Sequence, residues 1–208
     1  ADGTTVSGVT VADNDVDVDL QPLELDSNAD EMTYQDVLIE DNTLSGRRVL
    51  LRASNTNSTL SRFAVSNNTI TATAGTVSGL SVTGGQGASG GMHDVVVCDN
   101  TITAADDAIG VIYGGGGSSG DGNGTDISVV DNAIPSTGAS GYGIQLTGGD
   151  RTENVTIGGN TFGTSGTVGA TGIVLDLVSD GGTRWSPTRS TATTSTASTS
   201  PRARTAVT

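Results

Sequence analysis

The chain has 208 residues with 31 Gly, 34% hydrophobic residues and only 3% aromatics, which is too few large apolar side chains for a conventional globular core of this length. Its nine basic residues are all Arg and stand against 23 Asp and Glu; the net charge of -14 argues against nucleic acid or an anionic membrane surface as partner, because like charges repel. No apolar run is long enough to cross a membrane, and one cysteine, Cys98, excludes an internal disulfide and a multi-cysteine metal site.

A stacked repeat suits such a composition, since each small coil shares its apolar layer with its neighbours. Taken in chain order, six segments carry one pattern: apolar, any, apolar, any, small or acidic, Asn, small, apolar. They cover residues 9–16, 37–44, 63–70, 95–102, 127–134 and 155–162. The asparagines are Asn14, Asn42, Asn68, Asn100, Asn132 and Asn160, at spacings of 28, 26, 32, 32 and 28 residues. A second short apolar segment follows each Asn: 23–25, 49–51, 80–82, 109–112, 144–146 and 173–175. Short segments alternating with period two read as strands, and the glycine-rich stretches between them disfavour helix. Three short strands per coil, two of them flanking the Asn, predict an all-β solenoid of about six coils.

The corner between two strands needs a residue that tolerates left-handed backbone and bonds its own main chain, and Asn does both. Stacked at one corner of every coil, the amides would form a ladder along the solenoid axis that satisfies buried polar groups. The ladder is favoured over ligand binding as the role of these six residues.

The repeat resembles the right-handed parallel β-helix of the pectate-lyase-like superfamily over roughly residues 5–178. That resemblance implies that the Asn corner lies between the second and third strands of a coil. It also makes the Gly-Ile-x-Leu segment the first strand, whose outer face carries substrate in that family. Absent Lys, abundant Asp and modest hydrophobicity further resemble the composition of haloarchaeal proteins, in which carboxylates hold hydration water in strong brine.

The pattern divides the chain into a solenoid, residues 1–178, and a Ser/Thr/Arg-rich tail, residues 179–208, expected to be disordered. Residues 181–208 hold Arg184, Arg189, Arg202 and Arg204, no acidic residue, and Ser or Thr at half the positions. A surface stalk and a change of reading frame both fit that shift. The chain opens at Ala1 with neither Met nor a signal-peptide pattern, so a removed leader and a piece of a longer protein are both open. Neither end reads as a cap, although an uncapped coil exposes apolar side chains and strand edges. Continuation into a longer β-helix, contact with another chain at the ends, and a homo-oligomer such as a side-by-side trimer are the expectations that follow.

Asp106-Asp107-Ala108-Ile109-Gly110-Val111 is an acidic pair entering a first strand. It resembles the Asp-Asp segment of polygalacturonase-type glycoside hydrolases, where one carboxyl protonates the leaving oxygen and another activates water. One coil on, Gly141-Tyr142-Gly143-Ile144 stands where such enzymes carry Gly-His-Gly. The coil before lacks their Asn-Thr-Asp segment, and the coil after, ending in Asp176, lacks their Arg-Ile-Lys segment. A solvated acidic turn is therefore the plainer reading of Asp106 and Asp107. A lyase would need Ca²⁺ on Asp clusters and an Arg or Lys as base, since a cation must stabilise the developing charge. Arg52, following a first strand near Asp26, is the one groove candidate; charge balance is the plainer account of it.

Tyr142, His93, Arg52 and Asp176 are the candidate ligand-binding residues, with His93 expected on a loop near the first-strand groove. Tyr113 and Trp185 are further aromatics able to stack on sugar. For Ca²⁺, Asp121, Asn123 and Asp126 supply oxygens in a glycine-rich stretch loosely like a calcium loop, without the later bidentate Glu. Asp13, Asp15, Asp17 and Asp19 alternate with Val16, Val18 and Leu20 and share one face. Hydrated acid and a flexible loop are the plainer readings of both. Sequons at Asn57, Asn67, Asn123 and Asn154 permit glycosylation of a secreted protein. Three functions remain: a secreted or cell-surface solenoid that binds glycan or another surface without catalysis, a hydrolase or lyase on acidic polysaccharide, and a structural spacer or fibre segment.

Overall fold

The computed structural model describes residues 3–27, 30–53, 55–73, 78–87, 89–113, 122–149, 151–163 and 171–177, plus the backbone of 198–199 and 203–207. Three strands make each coil. In chain order they are β1 (Thr5–Ala12), β2 (Asp15–Asp17) and β3 (Leu23–Asp26); β4 (Thr33–Glu40), β5 (Thr43–Gly46) and β6 (Val49–Arg52); β7 (Thr59–Ser66), β8 (Thr69–Ala72) and β9 (Leu80–Thr83). The remaining coils hold β10 (Gly91–Cys98), β11 (Thr101–Ala104) and β12 (Ile109–Ile112); β13 (Asn123–Val130), β14 (Ala133–Ser136) and β15 (Tyr142–Gly148); β16 (Arg151–Gly158), β17 (Thr161–Phe162) and β18 (Thr171–Leu177). Every third strand pairs in parallel, giving face A (β1-β4-β7-β10-β13-β16), face B (β2-β5-β8-β11-β14-β17) and face C (β3-β6-β9-β12-β15-β18). Each face holds six of these strands, so the chain makes about five turns between the first and last strand of a face. No helix occurs among the described residues.

The alternation read from the sequence sets the core. Val37, Phe63, Val95, Ile127 and Val155 stack in register on face A, and Leu44, Ile70, Ile102 and Ile134 on face B. Face C contributes Leu51, Val82, Val111, Leu146 and Leu175. All of these are buried. Each such side chain removed from water contributes about 1.5–3 kcal/mol, which is how a chain poor in aromatics assembles a core.

The asparagine ladder is continuous from Asn14 to Asn160. In the middle of the stack, Asn68 Nδ2 donates to Asn100 Oδ1 (3.0 Å), to Ile39 O (3.0 Å) and to Ser66 O (2.9 Å), while Asn68 N donates to Asn100 Oδ1 (3.0 Å). Asn42, Asn68, Asn100 and Asn132 are all buried. The left-handed backbone, however, does not fall on these asparagines. It falls on the residue before each: Asp13, Asp41, Asn67, Asp99 and Asp131 at φ 55–56°, and Gly159 at 66°. Asp and Asn tolerate this conformation through short side chains that bond locally, and the side chain of the following Asn is freed to point inward.

A second left-handed column lies six residues before each ladder Asn: Gly8, Asp36, Arg62, Asp94, Asp126 and Asn154, at φ between 48° and 71°. These residues drop out of the pairing register of face A, so Ser7 faces Gln35 and Val9 faces Val37 with Gly8 and Asp36 skipped. Each long strand thus carries a bulge at one place, and the bulges stack. On face B the register slips once, at Pro135, where Thr101 faces Ala133 but Thr103 faces Ser136; proline has no N–H to give the ladder. Most of the 179–208 tail lies outside the described residues. Two backbone segments of it, β19 (Ser198–Thr199) and β20 (Ala203–Val207), pair antiparallel with each other, and β20 pairs antiparallel with β18.

Candidate functional site

Asp106 and Asp107 sit at the turn entering β12, beside the next coil's Tyr142. Asp107 Oδ1 accepts the backbone N–H of Tyr142 at 2.7 Å, while Ala108 N–H donates to Tyr142 O at 2.9 Å. The Asp107 side chain therefore acts as a rung between two coils. Burial pushes its carboxyl above the usual range; the Tyr142 N–H opposes that shift and the Asp106 charge adds to it. The glycines of Gly141-Tyr142-Gly143 have a steric cause. A Cβ on Gly141 would strike Asp106 O, and one on Gly143 would strike the Phe162 ring and Gly172 O. Close coil-to-coil approach accounts for this Gly-x-Gly without any ligand.

On face C the outward positions are Glu24, Leu50, Ser81, Gly110, Gln145 and Val174 in one register column. The resemblance would make this the open substrate face. Leu50 is only 3% exposed and Ser81 7%, Gly110 and Val174 are buried as well, and the Ser78 hydroxyl occupies the space a Cβ on Gly110 would need. Beside that column, Arg52 is clamped to Asp26, with Nε–Oδ1 at 2.7 Å and Nη2–Oδ2 at 2.5 Å. The Arg52 bond holds the Asp26 carboxyl below the usual range against the opposing effect of burial. Asp176 closes β18 opposite Thr147, five coils along from Asp26.

His93 lies within β10 on face A and not on a loop; its Nδ1 is 2.8 Å from Thr125 Oγ1. Face A separates it from the Asp107–Tyr142 turn, so the structure brings Asp106, Asp107 and Tyr142 together, pairs Arg52 with Asp26, and leaves His93 apart. Asn123 and Asp126 fall in β13 and not in a loop, with Asp126 at the bulge of that strand. Asp126 Oδ1 accepts from Asn154 Nδ2 at 3.0 Å. Asp121 lies outside the described residues, as does Trp185, and no group of three His, Cys, Asp or Glu able to hold a metal occurs among the described residues. Tyr113 is no sugar platform: it is fully buried, bonds Thr152 Oγ1 at 2.7 Å, and lies against Gly124, whose missing Cβ makes room for the ring.

An exposed polar array lies on face B. Thr43, Thr69, Thr101, Ala133 and Thr161 stack in one column, and Ser45, Thr71 and Thr103 in a second. Thr43, Thr69, Thr71, Thr101 and Thr161 are exposed. Strand geometry places the columns about 6.7 Å apart and the rows about 4.8 Å apart. No charged residue occurs in β5, β8, β11, β14 or β17, in a protein of net charge -14. The signal was present in the sequence as Thr-x-Thr or Thr-x-Ser directly after Asn42, Asn68 and Asn100.

Comparison with protein-family models, curated proteins and solved structures finds no match to this chain. The parallel β-solenoid therefore stands on its repeat and its topology.

Proposed function

We propose that this is an extracellular or cell-surface solenoid that binds glycan, or another extended surface, without catalysis. The observation that carries the reading is the uncharged Thr/Ser array of face B, exposed and periodic on an otherwise strongly acidic protein. A flat lattice of hydroxyl and methyl groups suits a ligand with its own regular hydroxyls, because each row repeats the same hydrogen bond and apolar contact. The acidic remainder keeps the chain soluble and repels polyanions, and a composition like that of haloarchaeal proteins fits work in strong brine.

A second reading, hydrolysis or lysis of acidic polysaccharide, has one observation in its favour. Burial raises the Asp107 carboxyl, as a general acid requires. Against it, Asp107 Oδ1 is already engaged by the Tyr142 N–H, and Ser81 and Gly110, outward on the two strands beside it, are buried.

One experiment separates the two. The chain is incubated in about molar KCl with a panel of neutral and acidic polysaccharides, and both retention and new reducing or unsaturated ends are measured. Binding without products, lost in Thr69→Asp/Thr71→Asp and kept in Asp107→Asn, is the expected outcome. Products that vanish in Asp107→Asn would replace this reading with the enzymatic one. Retention indifferent to the face-B variant would remove face B as the binding surface.

A further inference from the structure

Four Asn-x-Ser/Thr tripeptides occur in the chain, at Asn57, Asn67, Asn123 and Asn154. An N-linked sugar needs two groups of such a tripeptide free at once: the Asn amide that forms the bond, and the hydroxyl two residues on that the transferase reads. The fold engages three of the four. Asn154 Nδ2 donates to Asp126 Oδ1 at 3.0 Å. Asn123 is half-buried in β13, and the Oγ1 of its Thr125 lies 2.8 Å from His93 Nδ1. Asn57 is half-buried with its Oδ1 against Gly87, 2.7 Å from where a Cβ would stand, and its Thr59 Oγ1 donates to Ser89 O at 3.4 Å. Asn67 differs on both counts. It is exposed, as is its Thr69, and neither side chain makes a hydrogen bond among the described residues.

The reason lies in the corner. Asn67 belongs to the left-handed column beside the ladder, where Asp41 and Asp99 hold the same place in the coils on both sides, all at φ 55–56°. The inward bonds at this corner are made by Asn68. The column asks only for a short side chain that tolerates left-handed backbone, and Asp meets that demand on either side. The Asn67 amide is therefore not needed by the fold and is left to solvent.

We propose that Asn67 is the acceptor of an N-linked glycan. The donor class is a sugar carried on a lipid phosphate or pyrophosphate. Asn67 Nδ2 attacks C1 of that sugar: the N–C1 bond forms, the C1–O bond to phosphate breaks, and the lipid phosphate leaves with the electron pair. The amide gives up one proton, and nothing is oxidised or reduced. The inference rests on the extracellular placement proposed above, because such donors face away from the cytoplasm.

The test gives the folded 208-residue chain, and four peptides each carrying one tripeptide, to an oligosaccharyltransferase with a lipid-linked oligosaccharide. Peptide mass spectrometry maps the sugar. With each site scaled to its own peptide, occupancy in the folded chain should be at least tenfold higher at Asn67 than at Asn57, Asn123 or Asn154. Asn67→Asp and Thr69→Ala should each abolish it with an unchanged circular dichroism spectrum, the first because neighbouring coils already carry Asp there. Asp99→Asn places an amide at the same corner, two residues before exposed Thr101, and should make the next coil a second acceptor. A folded chain unmodified at Asn67, equal occupancy at all four sites, or no second acceptor in Asp99→Asn would overturn the proposal. A chain that accepts sugar in this assay, yet carries none when isolated from its own cells, would count against the extracellular placement and not against the acceptor site.

Discussion

Replacing Asn100 by Ala should be among the most damaging single changes in the chain, and the structure gives the magnitude. Asn100 is 1% exposed. Its Nδ2 donates to Val65 O (2.9 Å), Cys98 O (2.9 Å) and Asn132 Oδ1 (3.0 Å), and its Oδ1 accepts Asn68 N and Asn68 Nδ2, both at 3.0 Å. One amide has two N–H groups for those three acceptors, so the bonds are shared and are not worth five separate ones. Alanine leaves the Asn68 N–H with no acceptor and withdraws a donor from two main-chain carbonyls. At about 1–3 kcal/mol for each buried group left unmet, the Asn68 N–H alone costs that much, and the two weakened carbonyls bring the total to roughly 2–6 kcal/mol. That is a large part of the 5–15 kcal/mol typical of a whole domain. Asn14 is the internal control: it is exposed and its Oδ1 accepts from no other rung among the described residues, so Asn14→Ala should cost about 1 kcal/mol or less. Urea unfolding of both variants at one fixed salt concentration gives the comparison. If the two lose the same stability, the ladder is not what holds the corners.

Asp107→Asn keeps an oxygen for the Tyr142 N–H while removing a partly desolvated charge, so at neutral pH it should be as stable as the parent or more so, whereas Asp107→Leu should lose about 1–3 kcal/mol in the same assay. The two carboxyls predict opposite pH dependence. Asp26 is held below its ordinary value by Arg52, so its contribution is present above the ordinary carboxylate range and is lost as pH falls through the lowered one; Arg52→Gln should remove that acid-side loss in a melting-temperature titration. Asp107, raised by burial, contributes at low pH and loses that contribution as pH rises from the ordinary carboxylate value through the raised one, and Asp107→Asn should flatten that limb. Burial, aided by the Asp99 and Asp131 charges, pushes the Cys98 thiol up to about 11. Alkylation at pH 8 should accordingly run roughly two orders of magnitude slower in the folded chain than in urea, where the thiol has its ordinary pKa of about 8.5; equal rates would show that Cys98 is neither sheltered nor perturbed.

Much of the fold was legible because a solenoid writes its period into the chain. Six Asn motifs and six companion segments predict three strands per coil, and faces A, B and C contain them in that order. The same local pattern misled on the backbone: Asn has both properties a left-handed corner requires, but Asp shares them, and burial decides between the two. The inward amide can satisfy main-chain groups on both sides, while a carboxylate there would be desolvated, so the acid takes the exposed left-handed position next to it. The bulge column at Asp36, Arg62, Asp94, Asp126 and Asn154 escaped notice because its residues share a conformation and not a chemistry. Its one clear ion pair, Arg62 with Asp36 at 2.6 and 3.0 Å, shows only once the coils are stacked. The site was less legible still. Gly-Tyr-Gly beside Asp-Asp looks like a catalytic segment in one dimension, and in three its glycines lie where adjacent turns approach closely.

The placement of charge joins the fold to the binding proposal. The first coil puts Asp15 and Asp17 at the two outward positions of β2, and every later face-B strand puts Thr, Ser, Ala or Pro there. Strand propensity does not require this change, since Asp is poor in a strand at any of these rungs, but neither does it explain why acid was kept in the first. The uncharged Thr and Ser rungs are free to answer to whatever meets the face. One acidic column does border that face, at Asp41, Asp99 and Asp131 on the corner, and it leaves the hydroxyl rows themselves uncharged. A ligand lying along face B would therefore be neutral over the rows, and its retention should change little with ionic strength where an ordinary polyelectrolyte contact falls.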